Sequence, residues 1–411
     1  MASQKTIYSW AFYDWANSAF ATTAMAGFFP IFFKQYWNVG VTVNVSTGRL
    51  ALGTACIGLV LAIGSPIVGY FGDKVNKRKL FLAGFACLGI FSTMALALIG
   101  KGLWHYALGV YGFAVLGFSF SNVFYDSLLL HVCDTNKREW VSSLGYAFGY
   151  LGGGLLFLFN VFLLLNPSLF GLSSMEEAVQ WSFVSVGVWW GVFLLPLLFF
   201  VREKKVEMSS LSLFQSLRET FFEGVGSSRL MWFLLSYWLY IDGVHTIIRM
   251  AVDYGLSIGF TMNHLLGALL FIQFIGFPAA LIFGKIGERW GSKCGLYIGI
   301  SVYMLITVWG TQLTSIFGFY GIAALIGCTQ GGVQALSRAY FSRFIPEGKE
   351  GVYFGLYNMV GKYAVIMGPL LIGMINLALA YFSLDPQLIS RIGMGSLLLF
   401  FVGGICCLRK A

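Results

Sequence analysis

The chain has 411 residues, of which 58% are hydrophobic and only 10% charged, with 26 Lys and Arg against 17 Asp and Glu. Soluble domains carry about a quarter charged residues, and no soluble core of this length could hide so much apolar surface. The net charge of +9 would suit a nucleic-acid binder if it were gathered on one face, but the basic residues sit in short loops between apolar runs, so no nucleic-acid partner is expected.

In lipid a segment must satisfy its own backbone polar groups, so apolar runs of ~20 residues read as helices. In chain order the runs predict spans 1 to 12 at about 8–36, 47–71, 79–100, 103–131, 140–165, 179–201, 229–257, 261–286, 294–313, 316–343, 351–382 and 389–408. The first run holds Asp14 and Asn17 and no small-residue cleavage site, so it reads as a retained span rather than a signal peptide. Spans 6 and 7 are separated by the longest connection, where Leu213, Phe214, Leu217, Phe221 and Val225 recur near helical spacing among Arg218, Glu219 and Glu223. That pattern predicts an amphipathic helix on the membrane surface. The seven Cys lie in spans or at their ends, including Cys406 and Cys407, so no disulfide is expected. Asn44-Val45-Ser46 is a glycosylation acceptor only in a eukaryotic secretory setting.

Loop charge sets orientation. Nineteen of the 26 basic residues fall on the side of both chain ends, four on the other side and three within spans. Both termini are therefore expected to be cytoplasmic, in a multi-pass protein of the cell (inner) membrane, or of the vacuolar membrane if eukaryotic.

The chain also repeats itself. G-Y-F-G-D-K-V-N-K-R (Gly69 to Arg78) after span 2 is echoed by G-K-I-G-E-R-W-G-S-K (Gly284 to Lys293) after span 8. Trp10, Asp14, Asn17 and Ser18 of span 1 are echoed in the same register by Trp238, Asp242, His245 and Thr246 of span 7, and Lys137 and Glu139 before span 5 by Lys349 and Glu350 before span 11. Three units follow: an N-terminal six-helix bundle (1–201), a linker (202–228) and a C-terminal six-helix bundle (229–411). Parallel duplication about an axis normal to the membrane is the architecture of major facilitators. The loop resembles that superfamily's G-x-x-x-D-R-x-G-R-K signature, with Lys74 for the usual Arg and Asn76 for the second Gly. An acid ending span 2 can face the positive N-terminus of a helix in the other half. Asp73 with Lys74 and Arg78, and Glu288 with Arg289, are thus expected as gate residues, Asp73 facing the start of span 11 near Gly351 and Glu288 the start of span 5 near Trp140.

The opening Y-S-W-A-F-Y-D-W-A-N-S-A-F-A-T-T (Tyr8 to Thr23) resembles the vacuole effluxer-like family of major facilitators. Y-I-D-G-V-H-T-I (Tyr240 to Ile247), Q-G-G-V-Q-A-L-S-R (Gln330 to Arg338) and F-G-L-Y-N-M-V-G-K-Y-A (Phe354 to Ala364) extend the likeness through both halves. The resemblance implies an all-α membrane protein of the major facilitator fold, with twelve transmembrane helices in two pseudo-symmetric halves. It also implies efflux of amino acids or similar small solutes.

Ionisable groups inside spans are costly and functional by default. Asp14, Asp126, Asp242 and Asp253 stand against Arg249, Arg338 and Lys362. Asp242, His245, Arg249 and Asp253 recur every three or four residues along one face of span 7, as Gln330, Gln334 and Arg338 do on span 10. Asn358 and Lys362 are neighbours on span 11. Asp14, Asn17, Asp242, His245, Arg249, Gln330, Gln334, Asn358 and Lys362 are expected to form the substrate and coupling site. Asp126 and Arg338, at equivalent places in the two halves and near the cytoplasmic ends of spans 4 and 10, are read with the gate; Asp14 lies about 10 Å from the same side at 1.5 Å per residue. Asp253 reads as a solvated cap near the outer end, and the glycines of span 5 as packing or as an efflux element.

The expected activity is secondary transport of a small polar solute, an amino acid being the leading class, with protons as candidate coupling ion. No cofactor, metal cluster or phosphate-binding loop is expected, nor an enzyme, and the chain is expected to act as a monomer. A non-transporting sensor on the same scaffold and an intramembrane enzyme are the alternatives.

Overall fold

The computed structural model describes residues 3–203, 212–226, 228–257, 262–313, 315–364, 367–381 and 385–411; the side chains of Arg249 and Asp253 lie outside what it describes. Eleven helices among these residues are long and apolar enough to cross a membrane. Spans 1 to 6 are Gln4–Trp37, Asn44–Val75, Arg78–Leu98, Trp104–Val132, Thr135–Leu165 and Met175–Phe200. Spans 8 to 12 are His264–Trp290, Ser292–Gly310, Ile316–Phe344, Glu350–Leu379 and Arg391–Lys410. Span 7, Ser228–Ser257, has 30 residues, enough at ~1.5 Å each for ~45 Å. The buried apolar residues form two clusters. One runs from Trp10 to Val201 with Leu266 added, the other from Leu230 to Ala411 with Tyr70 and Val123 added. Each half thus has its own core, and the shared residues mark where the halves touch.

Three helices depart from the sequence reading. Span 1 is wound as a π-helix over Phe20–Phe28, which no periodicity of single residues reveals. Span 11, expected unbroken over 351–382, leaves the helix at Ala364 after Glu350–Tyr363 and is helical again over Met367–Ala380, with residues 365 and 366 outside the description. Pro369 falls in the first turn of the second segment, where its missing N–H costs little. Span 12 is interrupted by a turn at Ser396 and Leu397 between Pro386–Gly395 and Leu398–Lys410.

The linker holds a helix at Leu213–Gly226. Leu213 and Leu217 pack on the C-terminal core and Lys349 bonds Glu219 at 2.9 Å, while Phe214 and Phe222 point outward. The expected apolar stripe is therefore divided: part grips the bundle and part is presented away from it.

Glycines set the closest contacts. A Cβ at Gly149 would lie 2.6 Å from Ser18 Oγ and one at Gly153 2.9 Å from Thr22 Oγ1, so these span 5 glycines admit span 1. Between the halves, a Cβ at Gly69 would strike the carbonyl of Gly351, backbone against backbone. Gly69→Val is therefore expected to wedge spans 2 and 11 apart. Labelling of a cysteine placed at Gln334 by an impermeant thiol reagent, from the face of the chain ends, should accelerate at least tenfold; an unchanged rate would show that the contact does not hold this face shut.

The loop repeat explains a departure from the signature. Asn76 has φ 55°, and Gly291, its counterpart in the second copy, has φ 84°. Both turns need a positive φ; Asn76, with ψ 37°, sits in the left-handed region that Asn tolerates better than most non-glycine residues, whereas Gly291, with ψ 154°, takes a conformation open to glycine.

Candidate functional site

Both chain ends share one face. Lys5 Nζ lies 3.7 Å from the Phe200 ring centroid, Lys410 Nζ 4.3 Å from that of Trp232, and the loops 2–3, 4–5, 8–9 and 10–11 meet there. At this face the halves are joined in two layers.

In the outer layer, Asp73 ends span 2 and accepts the N–H groups of Gly351 (2.8 Å) and Val352 (2.9 Å) at the start of span 11. A carboxylate on a helix N-terminus is stabilised by the orphan amides and the dipole. The glycine contact above brings the backbone close enough for this. Arg78 is fully buried and bonds Asp73 at 2.7 Å and Glu350 at 2.6 Å, with His131 Nε2 at 3.1 Å. The opposite loop is built otherwise. Glu288 and Arg289 are exposed, which corrects the expectation that Glu288 faces span 5. Trp140 stands where the other copy has Gly351. Its ring lies 3.2 Å from where a Cβ of Gly284 would sit, filling the approach. The acid here is Glu139, bonded to Arg343 and, at 2.7 Å, to Ser292 Oγ. Two members of each set occupy matching places in the repeat, His131 with Arg343 and Glu350 with Glu139, while Ser292 stands one place before Lys293, the counterpart of Arg78. Lys74 is exposed as well; successive helix positions point about 100° apart, so the base beside Asp73 cannot share its contact.

The inner layer centres on Arg338 of span 10, 2% exposed. Its guanidinium donates to Asp126 Oδ1 of span 4 (2.9 Å) and, on span 5, to Ser142 Oγ and the Ser142 carbonyl (both 2.9 Å). Asp14 Oδ2 of span 1 is 3.7 Å away and accepts from Tyr125 Oη at 2.8 Å. The rings of Trp10, Tyr125 and Tyr146 enclose the cation with centroids at 5.0, 5.3 and 4.5 Å. Asp126 also receives Asn358 Nδ2 at 3.4 Å. One guanidinium thus serves two carboxylates on different helices of the other half.

The rest of the expected site is dispersed. Asn17 donates to Asn122 at 2.6 Å. Gln330 and Gln334 are half-buried on span 10, as are His245 on span 7 and Lys362 on span 11. Asp242, about 21 Å from the start of span 7, accepts Gly368 N–H at 2.9 Å and Thr246 Oγ1 at 3.2 Å. It therefore caps the second segment of span 11. Asp14, expected with Asp242 in the substrate and coupling set, instead joins Arg338. Inspection of single residues misses His131, Ser142 and Arg343, but the repeat carries a signal for two of them: His131 and Arg343 stand at the same offset in the chain as Asp126 and Arg338.

The profile of the family described as "Vacuole effluxer Atg22 like" matches residues 39–378. An uncharacterized MFS-type transporter of Bacillus subtilis, YxiO, is 36% identical over 370 residues, covering 89% of this chain and 86% of the relative. Autophagy-related protein 22 of Saccharomyces cerevisiae is 23% identical, covering 91% and 87%. Among solved structures, the human organic anion transporter MFSD10 superposes with a TM-score of 0.71 at 15% identity, covering 98% of this chain and 100% of that one. The proton:xylose symporter XylE superposes at 0.68 with 13% identity, covering 97% and 93%. These likenesses show the major facilitator fold. The chain belongs to the vacuole effluxer Atg22-like family of major facilitator transporters.

Proposed function

We propose that this transporter exports a small polar solute, with an amino acid as the leading class, by alternating access coupled to protons. The observation that supports it best is the shared Arg338. With the termini cytoplasmic, the layered face is the cytoplasmic gate, shut here. Opening carries Arg338 away with the C-terminal half and leaves Asp14 and Asp126 without it. A proton that enters from the opposite face neutralises one carboxylate as Arg338 departs and is released to the cytoplasm as solute binds; Asp14, the more distant from the guanidinium, is assigned that role. Asn17, Asn122, Gln330, Gln334, Asn358, Lys362 and His245 supply donors, acceptors and charge beyond the gate that suit a zwitterion. Asp73 and Arg78 lock the outer layer together with Glu139, Glu350 and Arg343. Asp242 holds the break in span 11.

Uptake and counterflow of labelled amino acids in proteoliposomes, with and without a pH gradient, test this. Asp14→Asn should lose gradient-driven accumulation, at least tenfold, yet keep exchange. Asp242→Asn should instead lower thermal stability, since its helix cap is weakened, and impair both modes. If no amino acid exchanges, the substrate class is wrong. Accumulation by Asp14→Asn with intact pH dependence would refute the coupling assignment.

A further inference from the structure

The two halves differ at one place where their symmetry predicts likeness. In the N-terminal half, span 3 begins at Arg78, and Glu203, just past the end of span 6, caps that start. Its carboxylate accepts the N–H groups of Arg78 and Lys79, both at 2.8 Å. Lys79 Nζ in turn bonds the carbonyls of Leu198 (2.8 Å) and Val201 (2.5 Å). In the C-terminal half the corresponding helix is span 9, beginning at Ser292 and Lys293 after Gly291, a cap residue without a side chain. The last span of this half ends in L-R-K (Leu408 to Lys410) with Lys410 still helical, whereas Glu203 lies beyond Phe200, the last helical residue of span 6. No side-chain hydrogen bond caps the start of span 9 among the described residues, and the end of span 12 brings Arg409 and Lys410 to this region.

A cavity of about 470 Å³ lies at this place, lined by Arg229, Lys293, Arg343, Arg409 and Lys410 with Tyr340. These five cations come from four different spans and converge on one volume, whereas charges that serve topology alone need only lie on the correct side. Glu139 holds Arg343, which remains 42% exposed. The backbone of Ala411 lines the cavity too, accepting from Tyr340 Oη at 3.2 Å. Counting Glu139 against the five cations still leaves a positive excess. The volume falls in the range of small-molecule sites. Two or more arginines beside lysines suit the tetrahedral, multiply charged oxygens of a phosphate, and basic pockets between helices at the membrane interface accept anionic headgroups.

We infer that this cavity binds a phosphate-bearing anion, supplied either by a phospholipid headgroup or by a soluble phosphate compound. The ligand provides the charge that Glu203 provides in the other half, and ties the starts of spans 7 and 9 to the ends of spans 10 and 12. The inference is independent of the transported solute.

Thermal unfolding of the purified chain in neutral detergent tests it, with phosphatidylglycerol, phosphatidylcholine or glycerol phosphate added at matched ionic strength. Stabilisation by phosphatidylglycerol beyond that by phosphatidylcholine, and beyond that by glycerol phosphate, assigns a lipid headgroup. Equal stabilisation by glycerol phosphate and phosphatidylglycerol assigns a soluble phosphate. Lys410→Glu places a carboxylate on the cavity wall; it should remain folded without ligand and weaken phosphate-dependent stabilisation about tenfold in apparent affinity. The double variant Lys293→Gln, Arg409→Gln should lose the response without gaining that built-in anion. No phosphate-specific stabilisation in the wild type, or an undiminished response in both variants, would overturn the proposal.

Discussion

Arg338→Gln is expected to abolish transport and to unlock the face that carries the chain ends. The guanidinium is buried, makes three direct bonds to Asp126 and Ser142, and is the cation nearest Asp14. Removing one partner of a buried pair costs about 3–5 kcal/mol, because the remaining charge stays buried. Here two carboxylates would remain. A penalty of that size confined to the closed arrangement shifts the closing equilibrium by roughly a hundredfold or more. Part of it is expected to appear as lower thermal stability. Arg338→Lys is not conservative, since an ammonium cannot reach Asp126 and both Ser142 oxygens in one planar fork. The checks are counterflow in proteoliposomes and impermeant thiol labelling of the cysteine at Gln334. A variant that transports normally would remove Arg338 from the gate.

Asp73→Asn and Glu288→Gln should behave differently, although the repeat makes them equivalent. Asn at 73 keeps one acceptor but loses the charge that meets the helix start and Arg78. Charge-assisted hydrogen bonds contribute about 1.5–3 kcal/mol each, so closure should weaken on the order of tenfold or more, read as faster labelling from that face. Glu288 is exposed, and its substitution should leave labelling and transport within a factor of two of wild type. The partner with the large effect on that side is Glu139. Equal effects of Asp73→Asn and Glu288→Gln would mean that the asymmetry between the loops is not maintained while the transporter cycles.

That asymmetry shows what can be read from the sequence and what cannot. Span number, the paired halves and the contact of Asp73 with the start of span 11 follow from hydropathy, the echo of one loop in the other and the charge preference of a helix terminus. The failure at Glu288 has one physical source. The repeat specifies backbone position, but Trp140 in place of Gly351 changes how near the backbone can come, and the contact passes to Glu139. Asp14 groups with Asp242 in the sequence because both lie in echoed motifs. Their depths differ, however, and the partner of a buried charge is decided by which helix lies opposite, which no single-helix pattern contains. The departure from helix at Ala364 in span 11 is followed by Gly368 and Pro369, residues that unbroken membrane helices also tolerate. The π-wound stretch of span 1 has no marker in its composition.

The central claim is that the Arg338 and Asp73 layers shut one face and must separate during each cycle. Distance measurement across that face tests it most directly. Spin labels on cysteines at Lys77 and Glu347, both exposed and in opposite halves, would be placed in a chain whose seven native cysteines are replaced. Pulsed electron–electron resonance in lipid nanodiscs would then record the distribution. The account predicts a short distance in the resting wild type and a longer population that grows at low pH with transported solute, and that dominates in Arg338→Gln. A single short distance under all these conditions, in a protein that still transports, would contradict it.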